Sequence, residues 1–165
     1  MAFEEIYDKY FPRIYNYIRY RVIERDAADD LVSAVFEKVL DKYDSFDPAR
    51  HGLEPWLFAI ARNTLNDHFR RRKVRGWFTI TDREESIASS QSVEGEALRT
   101  EENALLLAAL AQLSEEEREL IAMKFTLGMT NRDIAGETGL GESNVGVILF
   151  RAMKKLKELL GSEII

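Results

Sequence analysis

The strongest constraint on the fold is a helical stripe that begins at Pro55 and ends in a run of cations at Lys73. Proline is favoured in the first turn of a helix because its missing N–H would have no partner there. Buried-type side chains then recur at three- and four-residue spacing, which predicts a helix with one buried face. These side chains are Trp56, Leu57, Ile60, Ala61, Thr64, Leu65 and His68. The opposite face is polar, so the helix can pack on a domain and also lie along a polyanion.

The cationic end of this helix has two interpretations. In the first, one or two cations in the last turn complement the negative end of the helix dipole and keep the end of the domain exposed to solvent. Arg70 to Lys73 are four consecutive cations, however, and Arg75 follows them. Because this charge exceeds what the helix end needs, the pattern favours contact with nucleic acid.

The net charge of −6 opposes strong binding to naked DNA, but the charge is unevenly distributed. Acidic and basic side chains balance in residues 1–73, whereas residues 101–165 are acidic. Local patches govern phosphate contact, and the basic patches lie at Arg70–Arg75 and Arg151–Lys157. We therefore expect a larger partner to hold this chain on DNA.

Composition excludes several classes of function. No apolar run approaches twenty residues, and the acidic start of the chain is unlike a signal peptide. Cysteine is absent, which excludes disulfides and thiolate metal sites, and only His51 and His68 could offer imidazole ligands. The sequence also lacks a glycine-rich phosphate loop and an HExxH motif. We expect a cytoplasmic protein with no membrane insertion, no metal, no cofactor and no catalytic activity.

Helical periods divide the chain into two parts. A first helix is predicted over about residues 3–22, where Pro12 should cause a kink or a break. A second helix should open at Asp26–Asp29 in the manner of a capping box, and the Pro55 helix completes a first domain over residues 1–75. Residues 76–100 break every period and predict a flexible linker, although Trp77 should dock on the first domain. The predicted fold is all-α, with two small helical domains.

The second domain, over residues 101–165, has the pattern of a helix-turn-helix. Ala135 is small where two helices would cross, and Gly139 can adopt the positive φ of the turn. Val145 and Leu149 would bury the inner face of the second helix. The outward positions are Glu142, Ser143, Asn144, Gly146, Val147 and Phe150 or Arg151. A plain helical hairpin could imitate part of this pattern, but the combination with capping boxes at Ser114 and Thr130 favours a DNA-binding unit.

Three segments, in this order and spacing, carry a family pattern. They are Tyr7-x-x-Tyr10-x-Pro12-Arg13-x-Tyr15 with Asp30-Leu31-Val32-x-x-Val35-Phe36, then Trp56-Leu57-x-x-Ile60-Ala61-Arg62-Asn63 with the trailing arginines, and finally Leu113-Ser114-Glu115 through Leu160. The chain resembles the bacterial sigma-70 superfamily, in particular the small two-domain extracytoplasmic-function (group 4) sigma factors. The resemblance covers nearly the whole chain outside the linker.

The resemblance implies several partners. The helix that holds residues 30–40 would dock on a coiled coil of the β′ subunit of core RNA polymerase, and the β subunit would belong to the same complex. The candidate polymerase-binding residues are Asp30, Leu31, Phe36 and Glu37. Promoter DNA is the second implied partner, and an anti-sigma factor is the third.

The resemblance also implies two DNA contacts. The Pro55 helix would engage the −10 promoter element as single-stranded DNA, with Asn63 in a pocket for a flipped base and the arginines on phosphates. The −10 candidates are Trp56, Arg62, Asn63, Asn66, Arg70, Arg71, Arg72 and Lys73. The last helix would read the −35 element as duplex. The −35 candidates are Thr130, Arg132, Glu142, Ser143, Asn144, Val147 and Arg151.

Two segments depart from the family pattern. Ser33-Ala34 stands where relatives commonly have Gln-Glu, which bears on the polymerase contact. Gly146 and Ile148 stand in the reading helix where relatives often have Lys or Arg, and glycine costs a helix interior about 1 kcal/mol relative to alanine. The −35 contact would then depend on Ser143, Asn144 and the backbone.

The predicted function is that of a sigma factor, which binds core RNA polymerase and directs promoter-specific initiation. One alternative is a helix-turn-helix regulator that binds an operator without polymerase, although such a regulator needs no single-strand-binding domain. A second alternative is a sigma-like interaction module that reads DNA weakly.

Overall fold

The computed structural model describes residues 2–76 and 101–161, and within those ranges all the regular structure is helical. The seven α-helices of the described ranges are α1 Phe3–Arg21, α2 Arg25–Lys42, α3 Leu53–Gly76, α4 Glu101–Leu110, α5 Glu115–Phe125, α6 Asn131–Thr138 and α7 Glu142–Leu160, and a 3₁₀ turn spans Tyr43–Ser45. The prediction of an all-α fold is confirmed. The predicted linker, with Trp77, lies outside the described residues, except that Gly76 ends α3.

Side-chain caps begin two helices of the second half as the sequence predicts. Ser114 Oγ accepts a hydrogen bond from the Glu117 N–H at 3.1 Å, and a Glu117 carboxylate oxygen accepts from the Ser114 N–H at 2.9 Å. Thr130 and Asp133 form the same reciprocal pair at the start of α6. These bonds satisfy backbone donors that have no partner within the helix, and so place both helix starts.

The three helices of the first half differ from the prediction in where they begin or in whether they are interrupted. α1 continues through Pro12 without a break, because Tyr10 and Ile14 on either side are buried and tertiary packing holds the helix. α2 begins two residues early: the Ala28 N–H already bonds the Glu24 carbonyl at 3.0 Å, so Asp26 lies in the first turn and does not cap. α3 begins at Leu53, with Pro55 still inside its first turn.

One buried cluster joins the two halves of the described structure. α1 packs against α2 and α3 on one side and against α5 on the other. Its side chains Ile14, Tyr17 and Ile18 have under 1 % of their surface exposed. The core therefore places the surfaces of α2 and α3 in a defined relation to those of α5 and α6.

Two large apolar side chains of the second half are exposed on their helices. Leu105 on α4 is 49 % exposed, and Phe125 at the end of α5 is 55 % exposed. Each lies on a short helix, and the apolar pattern of a short helix does not determine which of its residues are buried by a neighbouring helix. Within residues 2–76 and 101–161, no helix is long and apolar enough to cross a membrane.

Candidate functional site

A groove between α1 and α2 has an aromatic floor and an acidic rim. The Phe36 ring lies 4.8 Å from the Tyr7 ring and 6.0 Å from the Phe11 ring, measured between centroids. The groove is lined by Phe3, Tyr7, Phe11, Tyr15, Asp29, Asp30, Val32, Ser33, Phe36, Glu37 and Leu40. Its chemistry suits a helix or strand that carries apolar side chains flanked by cations.

Three of the four predicted polymerase-binding residues line this groove. Asp30 and Glu37 are exposed on its rim and Phe36 forms part of the floor, whereas Leu31 is half-buried and not part of the lining. Sequence reasoning missed the contribution of α1. Phe3, Tyr7 and Phe11 recur every four residues, and this spacing indicates a shared face without saying whether the core or a groove receives it.

The Tyr15 hydroxyl lies at the Asp29 end of the groove. It donates a hydrogen bond to Asp29 Oδ1 at 3.5 Å. Burial raises the pKa of Tyr15, and the Asp29 carboxylate raises it further. The hydroxyl therefore stays protonated and can donate to this carboxylate at neutral pH.

The inner face of α3 is buried as the stripe predicts. Leu57, Ala61 and Leu65 have under 1 % of their surface exposed, and Thr64 is 5 % exposed. The Thr64 hydroxyl donates to the Ile60 carbonyl at 2.7 Å and accepts from Lys38 Nζ at 3.1 Å, so the buried oxygen is satisfied.

The outer face of α3 presents most of the predicted −10 residues. Asn63, Arg70, Arg71, Arg72 and Lys73 are exposed, and Asn66 is half-buried. Trp56 is half-buried, and its ring lies 4.7 Å from the ring of Phe46. This face therefore offers an amide and a cationic end on one helix, with an aromatic cluster at the other end.

Two of the exposed arginines make surface ion pairs. Arg70 pairs with Asp67 on the same helix, and Arg72 pairs with Glu24 at 3.2 Å with both side chains about half exposed. Exposed pairs of this kind contribute between nothing and about 1 kcal/mol. Phosphate groups can therefore displace the carboxylates at low cost.

Arg62 has a different environment from its neighbours on α3. Its side chain is 18 % exposed and bridges the two halves of the structure, with Nη2 at 3.1 Å from Glu119 and Nη1 at 3.4 Å from Glu137. The Nε atom is buried without a hydrogen-bond partner. In this arrangement the guanidinium is engaged by carboxylates of α5 and α6, so it is not available to DNA.

Arg13 on α1 makes a second connection between the halves. Its Nη2 donates to the Leu127 carbonyl at 2.9 Å and its Nε donates to the Thr126 carbonyl at 3.3 Å. Both carbonyls follow the C-terminal end of α5, where carbonyl groups have no partner within the helix. Arg13 therefore caps a helix of the other half.

Buried guanidinium groups line the same junction. The pKa of Arg118 is lowered chiefly by burial, with the Glu115 carboxylate opposing the shift and the charges of Arg21 and Arg72 adding to it. Arg118 donates to the Leu113 carbonyl at 2.6 Å, and Arg21 donates to the Tyr17 hydroxyl at 3.0 Å. Cations of both halves therefore meet at this junction.

α6 and α7 form the helix-turn-helix that the sequence predicts. Gly139 has a φ of 82° and ends α6, and Ile134, Val145 and Leu149 are buried between the two helices. The seven predicted −35 residues are all exposed: Thr130, Arg132, Glu142, Ser143, Asn144, Val147 and Arg151. Ile148 is half-buried, so this departure from the family pattern does not lie on the outward face.

Phe150 is the large hydrophobic side chain with the greatest exposure among the described residues, at 71 %. The sequence leaves open whether Phe150 or Arg151 points outward, and both side chains are exposed. Across residues 2–76 and 101–161, no cluster of His, Asp or Glu side chains is arranged to hold a metal ion.

Two family descriptions match this chain. Sigma-70 region 2 matches residues 6–75, which hold α1, α2 and nearly all of α3, and Sigma-70, region 4 matches residues 103–156, which hold the helix-turn-helix. The ECF RNA polymerase sigma factor SigF of Caulobacter vibrioides is 31 % identical over 130 residues, which cover 79 % of this chain and 69 % of SigF. The ECF RNA polymerase sigma factor BldN of Streptomyces coelicolor is 31 % identical over 159 residues, which cover 96 % of this chain but only 60 % of BldN.

A solved structure matches both halves at once. It is the sigma factor RpoE in complex with the anti-sigma factor NepR from Bartonella quintana, with a TM-score of 0.75 and 27 % sequence identity. The superposition covers 98 % of this chain and 98 % of RpoE. The shared arrangement therefore extends across the junction between the halves.

Proposed function

Because this chain belongs to the extracytoplasmic-function group of the sigma-70 family of RNA polymerase sigma factors, we propose that it binds core RNA polymerase and directs it to specific promoters. The observation that carries this proposal is the match of both sigma-70 regions, in order, to the two helical halves. The proposed role contains no catalytic step of its own, and it places the protein in the cytoplasm with the polymerase.

The proposal divides the work among three segments. Residues 1–75 form the domain that binds polymerase and engages the −10 element, residues 76–100 form the linker, and residues 101–165 form the domain that reads the −35 element. The family matches at residues 6–75 and 103–156 support this division, since they leave only the intervening segment unmatched between them.

Polymerase binding is assigned to the groove between α1 and α2. Its aromatic floor would receive apolar side chains of the β′ coiled coil, and Asp29, Asp30 and Glu37 on its rim would pair with cations of that partner. Buried aromatic pockets commonly carry most of the free energy of an interface. The aromatic floor and the acidic rim together therefore support a contact with the β′ subunit more strongly than the exposed carboxylates alone would.

Engagement of the −10 element is assigned to the outer face of α3. Asn63 is exposed and can offer both a donor and an acceptor to the edge of a flipped base. The cationic end from Arg70 to Lys73 would bind the phosphates that follow. Trp56, in its aromatic cluster, is the candidate for stacking.

Regulation by an anti-sigma factor is part of the proposal. The structurally similar RpoE is recorded in complex with the anti-sigma factor NepR. The similarity extends across both halves, so a partner that recognises the packed arrangement of α1, α3 and α5 fits this chain.

Run-off transcription tests the proposed function. Purified chain is added to core RNA polymerase on a mixture of genomic fragments, and we expect discrete new transcripts that core polymerase alone does not make. Band shifts with duplex promoter, with and without polymerase, separate this role from that of an operator-binding regulator. Tight sequence-specific binding of the chain alone, with no transcript in the run-off assay, would contradict the proposal.

A further inference from the structure

The outward face of α7 is apolar at its centre. Val147 is 43 % exposed and Phe150 is 71 % exposed, and their three-residue spacing makes them neighbours on one helix face. Asn144 precedes them on this face and Arg151 follows. The inner face is filled by Val145, Leu149, Ala152 and Leu156, so the helix cannot turn to bury the exposed pair.

Cations follow this apolar pair along α7 but do not interrupt it. The first nine residues of α7, from Glu142 to Phe150, contain no lysine or arginine. Arg151 and Lys154 follow on the exposed surface, and Arg132 is exposed at the start of α6. An apolar pair with cations after it on the same helix fits a polyanion that presents apolar groups beside its charges.

Duplex DNA presents one such group. In the major groove, guanine, adenine and cytosine offer only polar edges, whereas thymine adds the C5-methyl group. Arginine and lysine select guanine, and the first half of α7 has neither residue. Apolar side chains at the same positions can contact the thymine methyl instead.

We propose that Val147 and Phe150 read thymine C5-methyl groups of the −35 element. A·T base pairs at the centre of the α7 footprint are then selected by apolar contact and not by arginine. This inference rests on the proposed assignment of the −35 contact to α7. It explains how a reading helix without cations in its first two turns can still be specific.

The test removes the methyl group and leaves base pairing intact. Duplexes with random bases upstream of a fixed −10 element are first selected with the holoenzyme. In a selected duplex, each thymine of the −35 element is then replaced by deoxyuridine. We expect about three- to fourfold weaker binding at one or two positions, which corresponds to the burial of one methyl group at each position.

Matched variants connect these methyl groups to the two side chains. Val147→Ala and Phe150→Ala should bind the thymine duplex more weakly, and each should lose the difference between thymine and deoxyuridine at one position. Both side chains are exposed, so the melting temperature should stay close to that of the unmodified chain. Arg151→Ala is the control, since loss of a cation should weaken binding to both duplexes equally.

Three results would overturn the proposal. Equal binding of thymine and deoxyuridine duplexes by the unmodified chain would exclude methyl readout while leaving the −35 assignment intact. DNA binding that is unchanged in both alanine variants would assign the apolar face to a protein contact. Selection of no upstream sequence at all would remove the proposed −35 role itself, and the inference with it.

Discussion

Adjacent residues of α3 have opposite environments, and this difference governs what each can do. Arg62 is 18 % exposed and is held by two carboxylates of the other half, whereas Asn63 is exposed on the outer face. A rotation of 100° per residue along the helix is enough to separate a junction residue from a surface residue. Asn63 is therefore the better candidate for a base contact in the packed arrangement.

Asn63→Ala should separate DNA melting from folding. Because the side chain is exposed, its truncation should leave the melting temperature and polymerase binding nearly unchanged. Open-complex formation should fall, and a pre-melted promoter bubble should not restore it fully. Permanganate reactivity of the −10 thymines measures the effect. Unchanged reactivity, or a large fall in melting temperature, would exclude Asn63 as a base-capture residue.

Gly146→Ala should stabilise the protein. Gly146 lies inside α7, and a Cβ at this position would meet only Asn131 Nδ2 at 3.7 Å, an ordinary contact. The free energy of unfolding should rise by about 0.5–1 kcal/mol, because alanine loses less backbone entropy in a helix. Urea unfolding measures the change. Gly139→Ala is the matched control and should destabilise, since Gly139 has a φ of 82°.

His68 should make stability fall in mild acid. Burial lowers the pKa of His68 below its usual 6.5, and the charge of Arg72 lowers it further while Glu24 opposes this shift. The unfolded chain then binds a proton more readily than the folded chain. The contribution of neutral His68 to the free energy of unfolding is therefore fully present above about pH 6.5. It is lost as the pH falls through the lower pKa that His68 has in the folded state.

Urea unfolding between pH 7.5 and 5 checks this dependence. His68→Gln should reduce the loss of stability over that interval, because glutamine does not titrate. His51→Gln is the matched control, since His51 is exposed in the loop before α3. A slope that is the same in His68→Gln and the unmodified chain would contradict the assignment.

At the scale of the element, the inner face, the outer face and the C-terminal end of α3 have three different roles. Its inner face joins the core through Leu57, Ala61 and Leu65, and its outer face presents Asn63. Its C-terminal turns extend the cationic run Arg70–Lys73 on the surface. Because the buried face stabilises the helix, the polar residues can be changed without loss of the fold.

Replacement of Arg70, Arg71 and Arg72 by alanine should weaken promoter complexes through charge. All three side chains are exposed, so they should act on phosphates regardless of the −10 sequence. Binding should weaken on different promoters, and the salt dependence should flatten by about one unit of log–log slope per lost contact. A titration of affinity against salt concentration measures this slope. A changed base preference at the −10 element would instead show that these residues read bases.

At the scale of the whole molecule, the proposed −10 and −35 assignments are incompatible with the packed arrangement of the two halves. The −10 and −35 elements lie roughly 25 base pairs apart, which is about 85 Å along the duplex. In the structure α3 bonds directly to α5 and α6 through Arg62, and Arg13 bonds the end of α5. Under these proposed assignments we expect the junction to open when both halves engage a promoter.

Energy transfer between two dyes can detect this opening. The chain contains no cysteine, so Asp44→Cys and Glu158→Cys would place a dye on each half at exposed positions. Transfer should be high in the free chain and should fall in the promoter complex with polymerase. Equal transfer in the two states would contradict the need for opening.

Removal of the two carboxylates that pair with Arg62 should favour separation of the two halves in the free chain. Glu119→Gln combined with Glu137→Gln eliminates both partners of Arg62, so energy transfer should fall without polymerase. Higher salt should have a smaller effect in the same direction, because the Arg62–Glu119 pair is mostly shielded from solvent. Glu116→Gln is the matched control on α5, where the side chain is exposed.

The sequence by itself determined the local structure and the family. The capping residues Ser114 and Thr130, the turn glycine Gly139 and the buried stripe of α3 were all predicted correctly. These signals are local, because a cap joins residues three apart and a stripe repeats within two turns. The −10 and −35 assignments remain predictions, and their residues are exposed except for Trp56, Arg62 and Asn66.

Only the tertiary structure decided how the two halves meet and which apolar faces form a groove. Arg62 pairs with carboxylates 57 and 75 residues away, and no local pattern indicates such a partner. The same reason explains the error at Asp26 and the exposure of Leu105 and Phe125: the sequence of a helix shows that a face is apolar or acidic, but not what packs against it. Burial depends on contacts between distant segments, and those exist only once the chain has folded.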